Sequence, residues 1–154
     1  WYVVPVGQGV HLLGMWLGFR RLRRAGLVDR IPRLVGVQAA LLAPVCEAFE
    51  AGLEDVPGLE LTSPTLAEGL AIPRPIRGQR VLEAIRSSGG HCVSVSEEQI
   101  SAARRQAALQ GFYIEPTSAT ALAAVEIVHQ MAAPEDVIVV PLTGSGLKGS
   151  PTVD

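Results

Sequence analysis

Lysine is nearly absent: Lys148 is the one lysine in 154 residues. Chemistry that needs a lysine amine therefore has a single candidate in this chain. Cysteine is also scarce. Cys46 and Cys92 lie far apart with no CxxC spacing, which argues against a disulfide framework or a zinc site. Both sit in apolar surroundings, where a free thiol behaves as a small buried hydrophobe, and this fits a reducing cytoplasm. Net charge is −2, from 13 basic and 15 acidic residues. That excludes a basic module that neutralises nucleic-acid phosphates. The densest basic run, Arg20, Arg21, Arg23 and Arg24, is too short to alter this. No histidines or carboxylates stand at metal-ligand spacing. No apolar run reaches the roughly 18 residues of a membrane span; the best, Val10 to Phe19, is ended by Arg20. The opening Trp1-Tyr2-Val3-Val4 lacks the basic start of a secretory signal. It already reads as a strand with no initiating Met, so the expectation is a piece of a longer protein.

What is present is apolar. Hydrophobic residues make up 48% and charged residues 18%, and mean hydropathy is +0.31. Disorder is excluded, and the length suits about one domain. Four Val-rich runs read as strands, the near-continuous apolar ones as strands buried on both faces: Trp1 to Val6, Leu34 to Val37, His91 to Val95 and Val137 to Val140. Helical patterns separate them: Val10 to Ala25 closed by Gly26, Ala43 to Ala51, Gly78 to Ser88, a helix opened by the capping box Ser96-Glu97-Glu98-Gln99 and closed by Gly111, and Thr117 to Met131. Strands alternating with helices predict an α/β fold, a mostly parallel open sheet of about four strands with helices on both faces. The Pro-rich stretch from Gly52 to Pro75 breaks the pattern, and a connection that long is usually functional or packs on another part of the molecule.

Two glycine loops stand out. Val6-Gly7-Gln8-Gly9-Val10-His11 follows the first strand and opens a helix, where backbone N–H groups and the helix dipole can cradle an anion. A mononucleotide P-loop requires GxxxxGK[ST], and Gly14 is followed by Met15-Trp16. A dinucleotide fingerprint requires GxGxxG, and Leu12 occupies the third glycine position. It also requires an acid ending the second strand, where Val37-Gln38-Ala39 stands. What remains is a compact phosphate monoester, or glycines that merely shape a tight turn. The second loop, Leu142-Thr143-Gly144-Ser145-Gly146-Leu147-Lys148-Gly149, ends the fourth run. A hydroxyl there can meet a ring nitrogen or bond its own backbone. Ser118 and Ser145 have no adjacent His or Asp, so a serine nucleophile is not supported. Arg74, Arg77 and Arg80 read either as a solvated face or as a grip on a phosphorylated substrate. His91 and His129 read as structural, and Glu97-Glu98 as the acidic first turn of a helix.

Taken in order, Gly7-Gln8-Gly9 with Leu12-Leu13-Gly14, Val35-Gly36-Val37-Gln38-Ala39, Thr65 to Ala71, Gly111 to Ala119, and Leu142 to Lys148 resemble the fold-type II pyridoxal-phosphate enzymes. Within them the chain is most similar to the threonine synthases. The resemblance implies pyridoxal 5'-phosphate as cofactor, its phosphate on Gly7, Gln8, Gly9, Val10 and His11, and its pyridine nitrogen on Thr143. The family often has Asn-Gly-Thr-Asn where Gln8-Gly9-Val10-His11 stands. Val10 offers no hydroxyl, so phosphate binding would rest on backbone amides and His11. Glu68 and Glu115 match family positions near the cofactor ring or the following helix and carry no assigned chemistry. The resemblance also implies that the Schiff-base lysine lies upstream, in an N-terminal half not present here. Lys148 is not that residue, so the chain holds no catalytic residue of its own. Residues 1–154 would form the C-terminal part of the large domain of a two-lobed enzyme, itself inactive. The implied reaction of the parent is O-phosphohomoserine plus water to threonine plus phosphate, in threonine biosynthesis, by a cytoplasmic homodimer that binds neither nucleic acid nor membrane. A serine/threonine dehydratase-like lyase is the alternative within the family, and a non-catalytic phosphate- or nucleotide-binding module the alternative outside it.

Overall fold

Three of the Val-rich runs form strands in a computed structural model, which describes residues 1–148. Gly149 of the second loop lies outside them. Strand β1 (Tyr2–Pro5) pairs in parallel with β2 (Leu34–Ala39), and β2 with β3 (His91–Val95), in spatial order β1-β2-β3. The register sets Val3 beside Val35 and Gly36 beside Cys92. Every residue of β2 is buried, which is why the central strand reads as continuous apolar sequence.

Helices cover both faces, as expected. On one face α1 (Val10–Arg24), α2 (Pro44–Glu50) and α3 (Gly78–Ser87) pack on Val4, Val6 and Leu34 through Leu12, Leu13, Trp16, Val45, Val81, Leu82 and Ile85. Gly36 makes that layer possible: an added Cβ would stand 3.1 Å from Val6 and 3.2 Å from Ile85. On the other face α4 (Glu97–Leu109), α5 (Pro116–Ala123) and α6 (Val125–Met131) pack on Val3, Val35, Val37, Val93 and Val95 through Ile100, Ala107, Ala119, Ala121 and Val128.

Local chemistry sets the helix ends. The Ser96 hydroxyl accepts from the Gln99 N–H, and the Gln99 side chain accepts from the Ser96 N–H at 2.8 Å, a complete capping box. Gly26, at φ +69°, ends α1 with Leu27 N–H bonded to the Leu22 carbonyl.

Two expectations need correction. The run Val137 to Val140 is not a full strand. It makes one parallel bridge to β1, Tyr2 with Val139, through Val3 N–H to Val139 O and Val139 N–H to Trp1 O, both 2.9 Å. The sheet therefore has three strands and a bridged segment. Pro141 supplies no further donor, and Val137 and Val139 are 71% and 46% exposed on the outer edge. The span Thr117 to Met131 is two helices, not one. At Ala124 the N–H turns to Ala121 O, three residues back, which tightens the chain before α6 restarts.

Both cysteines are buried free thiols, but they are not apart: their sulfurs touch across α2 and β3. No helix of the described residues is long and apolar enough to cross a membrane, and no metal-ligating cluster occurs among them.

Candidate functional site

The parallel bridge to Val139 gives the edge segment the same direction as β1. Its loop therefore leaves the sheet at the edge where β1 delivers Gly7. After β1 the chain enters α1 on one face; the segment around Val139 arrives from α6 on the other. This is a topological switch point, the crevice where open α/β sheets bind ligands. Both predicted loops flank it.

In the first loop, Gly9 caps α1 at φ +76°, a left-handed conformation that side chains disfavour, and an added Cβ would overlap Val81. Glycine is required there on both counts. Gly7 is buried, and an added Cβ would lie 3.1 Å from the Gly69 carbonyl. Among the described residues no acceptor serves the N–H groups from Gly7 to Leu12, and the Gly9 cap has no side-chain bond. These donors at a helix start, with room only for backbone, fit a phosphate. Gln8 holds the loop from outside, its Oε1 accepting from Ile76 N–H at 3.1 Å just before α3. Val10 is 62% exposed. His11 faces back along β1, its Nε2 at 3.1 Å from the Tyr2 hydroxyl with the rings edge to face. Partial burial raises the Tyr2 pKa, so the phenol keeps its proton.

The second loop is held by residues from the start of α5. Ser118, fully buried, accepts from Gly144 N–H at 2.8 Å, and its hydroxyl lies 3.1 Å from Thr143 Oγ1. Glu115 N–H donates to Gly144 O at 3.0 Å, and Gly146 N–H to Tyr113 O at 2.9 Å. An added Cβ at Gly144 would overlap the Glu115 carboxylate. Ser118 thus orients the exposed Thr143 side chain beside buried Gly144.

The Pro-rich connection joins the two loops. Its 3-10 turn, Glu68–Leu70, brings Gly69 against Gly7 on one side and Thr117 Oγ1 on the other, 2.9 Å from where a Cβ would stand. Glu97 grips this segment: its carboxylate accepts from Thr65 Oγ1 at 2.7 Å and Leu66 N–H at 2.6 Å. Beside Gly69 opens a cleft of about 1110 Å³, lined by Thr65, Glu68, Glu97, Arg104, Glu115 and Lys148 among others. The Gly7–His11 loop does not line that cleft. Arg74, Arg77 and Arg80 are exposed on and beside α3. His91 stacks edge-on to Phe49, and His129 is exposed on α6.

Sequence reasoning missed Gln38. Its fully buried amide donates from Nε2 to Val6 O at 3.1 Å and accepts at Oε1 from Val45 N–H at 2.9 Å and Cys46 N–H at 3.2 Å. It bolts Val6, which follows β1 and precedes Gly7, to the start of α2. A buried amide in a valine strand was the available signal.

A parallel sheet with a glycine loop short of acceptors and a hydroxyl-bearing loop at one switch point could hold a phosphate-bearing cofactor. The chain belongs to the pyridoxal-phosphate dependent enzyme family, which its residues 1–144 match. It is 32% identical to the threonine synthase of Methanocaldococcus jannaschii over 150 residues, 95% of this chain and 36% of that protein. Among solved structures it superposes on a T.th. threonine deaminase (TM-score 0.72, 26% identity, 97% of this chain and 51% of that one). It also superposes on threonine synthase from Escherichia coli (TM-score 0.70, 18% identity, 96% of this chain and 32% of that one), a likeness of fold alone. The chain thus spans little more than a third of the M. jannaschii relative's length.

Proposed function

We propose that residues 1–148 form the part of a pyridoxal-phosphate enzyme that holds the cofactor's phosphate on the N–H groups of Gly7 to His11 and its ring nitrogen on Thr143. The observation carrying this is the switch point, where a glycine cradle short of acceptors and a hydroxyl anchored by Ser118 share one sheet edge. When bound, the cofactor supplies an electron sink for the carbons of an amino-acid substrate. The chain's own residues bind and orient. The loop amides neutralise the phosphate with the help of the α1 dipole. Gln8 and Gln38 fix the loop from either side. Thr143, a neutral partner, leaves the ring nitrogen without a full positive charge. Glu97 fixes Thr65 and Leu66 in the segment that leads to Gly69. No residue here supplies the lysine amine of the chemistry; it comes from the part of the enzyme outside this chain, which alone is inactive.

The whole protein is read as a threonine synthase-like lyase, converting O-phosphohomoserine and water to threonine and phosphate. Identity to threonine synthases over nearly all of this chain supports that reading. A dehydratase reading draws on the threonine deaminase likeness. Exposed Ile76 and Leu147, at 86% and 85%, support a larger assembly, read here as a homodimer, and the free thiols a cytoplasmic location. The deciding experiment incubates the full-length enzyme with O-phosphohomoserine and, separately, with threonine and serine. Equal release of threonine and phosphate supports the synthase. Ammonia and a 2-oxo acid from threonine or serine, with O-phosphohomoserine untouched, overturns it in favour of the dehydratase.

A further inference from the structure

Cys46 and Cys92 are separated by 46 residues of chain, yet their sulfurs lie 2.6 Å apart. One belongs to the first turn of α2 and the other to β3, in the same packed layer, and they are 1% and 2% exposed. Carbon-sized atoms at rest against each other stand about 3.5–4.0 Å apart, so the two sulfurs are already inside contact distance. Helix α2 is seven residues long, and its cap, Ala43, makes no side-chain bond. Its first turn is held by Gln38 through Val45 N–H and Cys46 N–H. This helix is the shortest of the three in this layer, so its local opening is the route by which a small reagent would reach the pair.

We propose that Cys46 and Cys92 form a reversible disulfide that fastens α2 to β3, with a small-molecule disulfide of the glutathione class as oxidant. In the first exchange one cysteine loses its proton and its sulfur attacks the oxidant, giving a mixed disulfide and one small thiol. The second cysteine then displaces the other small thiol. The two cysteines lose two electrons and two protons, and both are carried away on the two small thiols. The bond would set a covalent tie two hydrogen bonds from the glycine loop, since Cys46 N–H bonds Gln38 and Gln38 bonds Val6 O. The crosslink stands independently of the proposed cofactor role.

The test equilibrates the native full-length protein in buffers of oxidised and reduced glutathione, quenches with acid, alkylates in denaturant and digests with trypsin. The expected product is one species joining residues 34–77 to residues 87–104, lighter than the two free peptides by two hydrogens and separated by reductant. Returning the protein to reducing buffer restores both free thiols. In strong denaturant the joined species falls at least several-fold, because only the fold holds the sulfurs together. Recovery of both cysteines as free thiols across the whole series, recovery of separate glutathione adducts, or equal crosslinking in denaturant would overturn the proposal. Cys92→Ala and Cys46→Ala each abolish the joined species; the wild-type digest decides the matter even if neither variant folds.

Discussion

Replacing Gln38 with leucine probes the bolt beneath the glycine loop. Leucine is close in volume, so the change leaves little cavity and the loss falls on polar groups. The Val6 carbonyl, the Val45 N–H and the Cys46 N–H each lose their partner. A buried polar group left unpaired costs about 1–3 kcal/mol, and water reaching the first turn of α2 relieves part of this, so the total is about 3–5 kcal/mol. Urea slopes of about 1–3 kcal/mol per molar turn that into a midpoint lower by about 2 M. Because Val6 leads directly into Gly7, pyridoxal-phosphate affinity of the full-length protein falls as well. Urea titration followed by circular dichroism and equilibrium dialysis of the cofactor read the two effects. A Gln38→Leu protein with wild-type midpoint and wild-type affinity refutes the reasoning: the amide would then neither hold α2 nor set the loop.

Gly9→Ala forces a side chain into a left-handed conformation, at about 1–2 kcal/mol, and against Val81, at about 1–3 kcal/mol; cofactor affinity drops at least about tenfold, and adding Val81→Ala recovers part of the loss in the same dialysis assay. Thr143→Val keeps the shape of the second loop through Ser118 and Gly144 but removes the hydroxyl, so the visible spectrum of the bound cofactor shifts while its phosphate affinity holds. Glu97→Ala strips the acceptor from Thr65 and Leu66, and amide exchange at Leu66 and Ala67 speeds at least about tenfold while α4, capped by Ser96 and Gln99, stays protected. The Trp1 indole N–H, then the Ala133 N–H, hold the Asp136 carboxyl below the usual aspartate range. A lowered carboxylate pKa adds stability that is present above the usual value and lost as pH falls through the lowered one, so the Trp1 indole proton resonance moves below about pH 4 and stays fixed in Asp136→Asn.

Strands and helices are legible because their signals are local. Valine runs bounded by Gly and Pro mark β1 to β3, and Ser96 with Gln99 announces α4. The fourth run carries the same local signal and fails as a full strand, because edge position and Pro141 decide how far pairing extends. The two loops are legible as glycine after strand, in a chain whose register then sets them at one edge. The residues that hold those loops are not. Gln38 stands where a nucleotide would need an acid, and Ser118 reads as a hydroxyl without a catalytic partner; each instead bonds backbone or hydroxyl far away in sequence. Glu97 reads as helix-start charge and reaches 31 residues back to Leu66. The cysteine pair is separated by 46 residues, and no spacing rule foretells which elements the fold brings into contact.

A crystal structure of the full-length protein with pyridoxal phosphate tests the central claim most directly. The cofactor's phosphate is predicted to lie within hydrogen-bond distance of the N–H groups of Gly7 to His11, with Thr143 Oγ1 on the ring nitrogen of the same molecule. A phosphate seated elsewhere, or a ring nitrogen facing another residue while Thr143 bonds only Ser118, would contradict it.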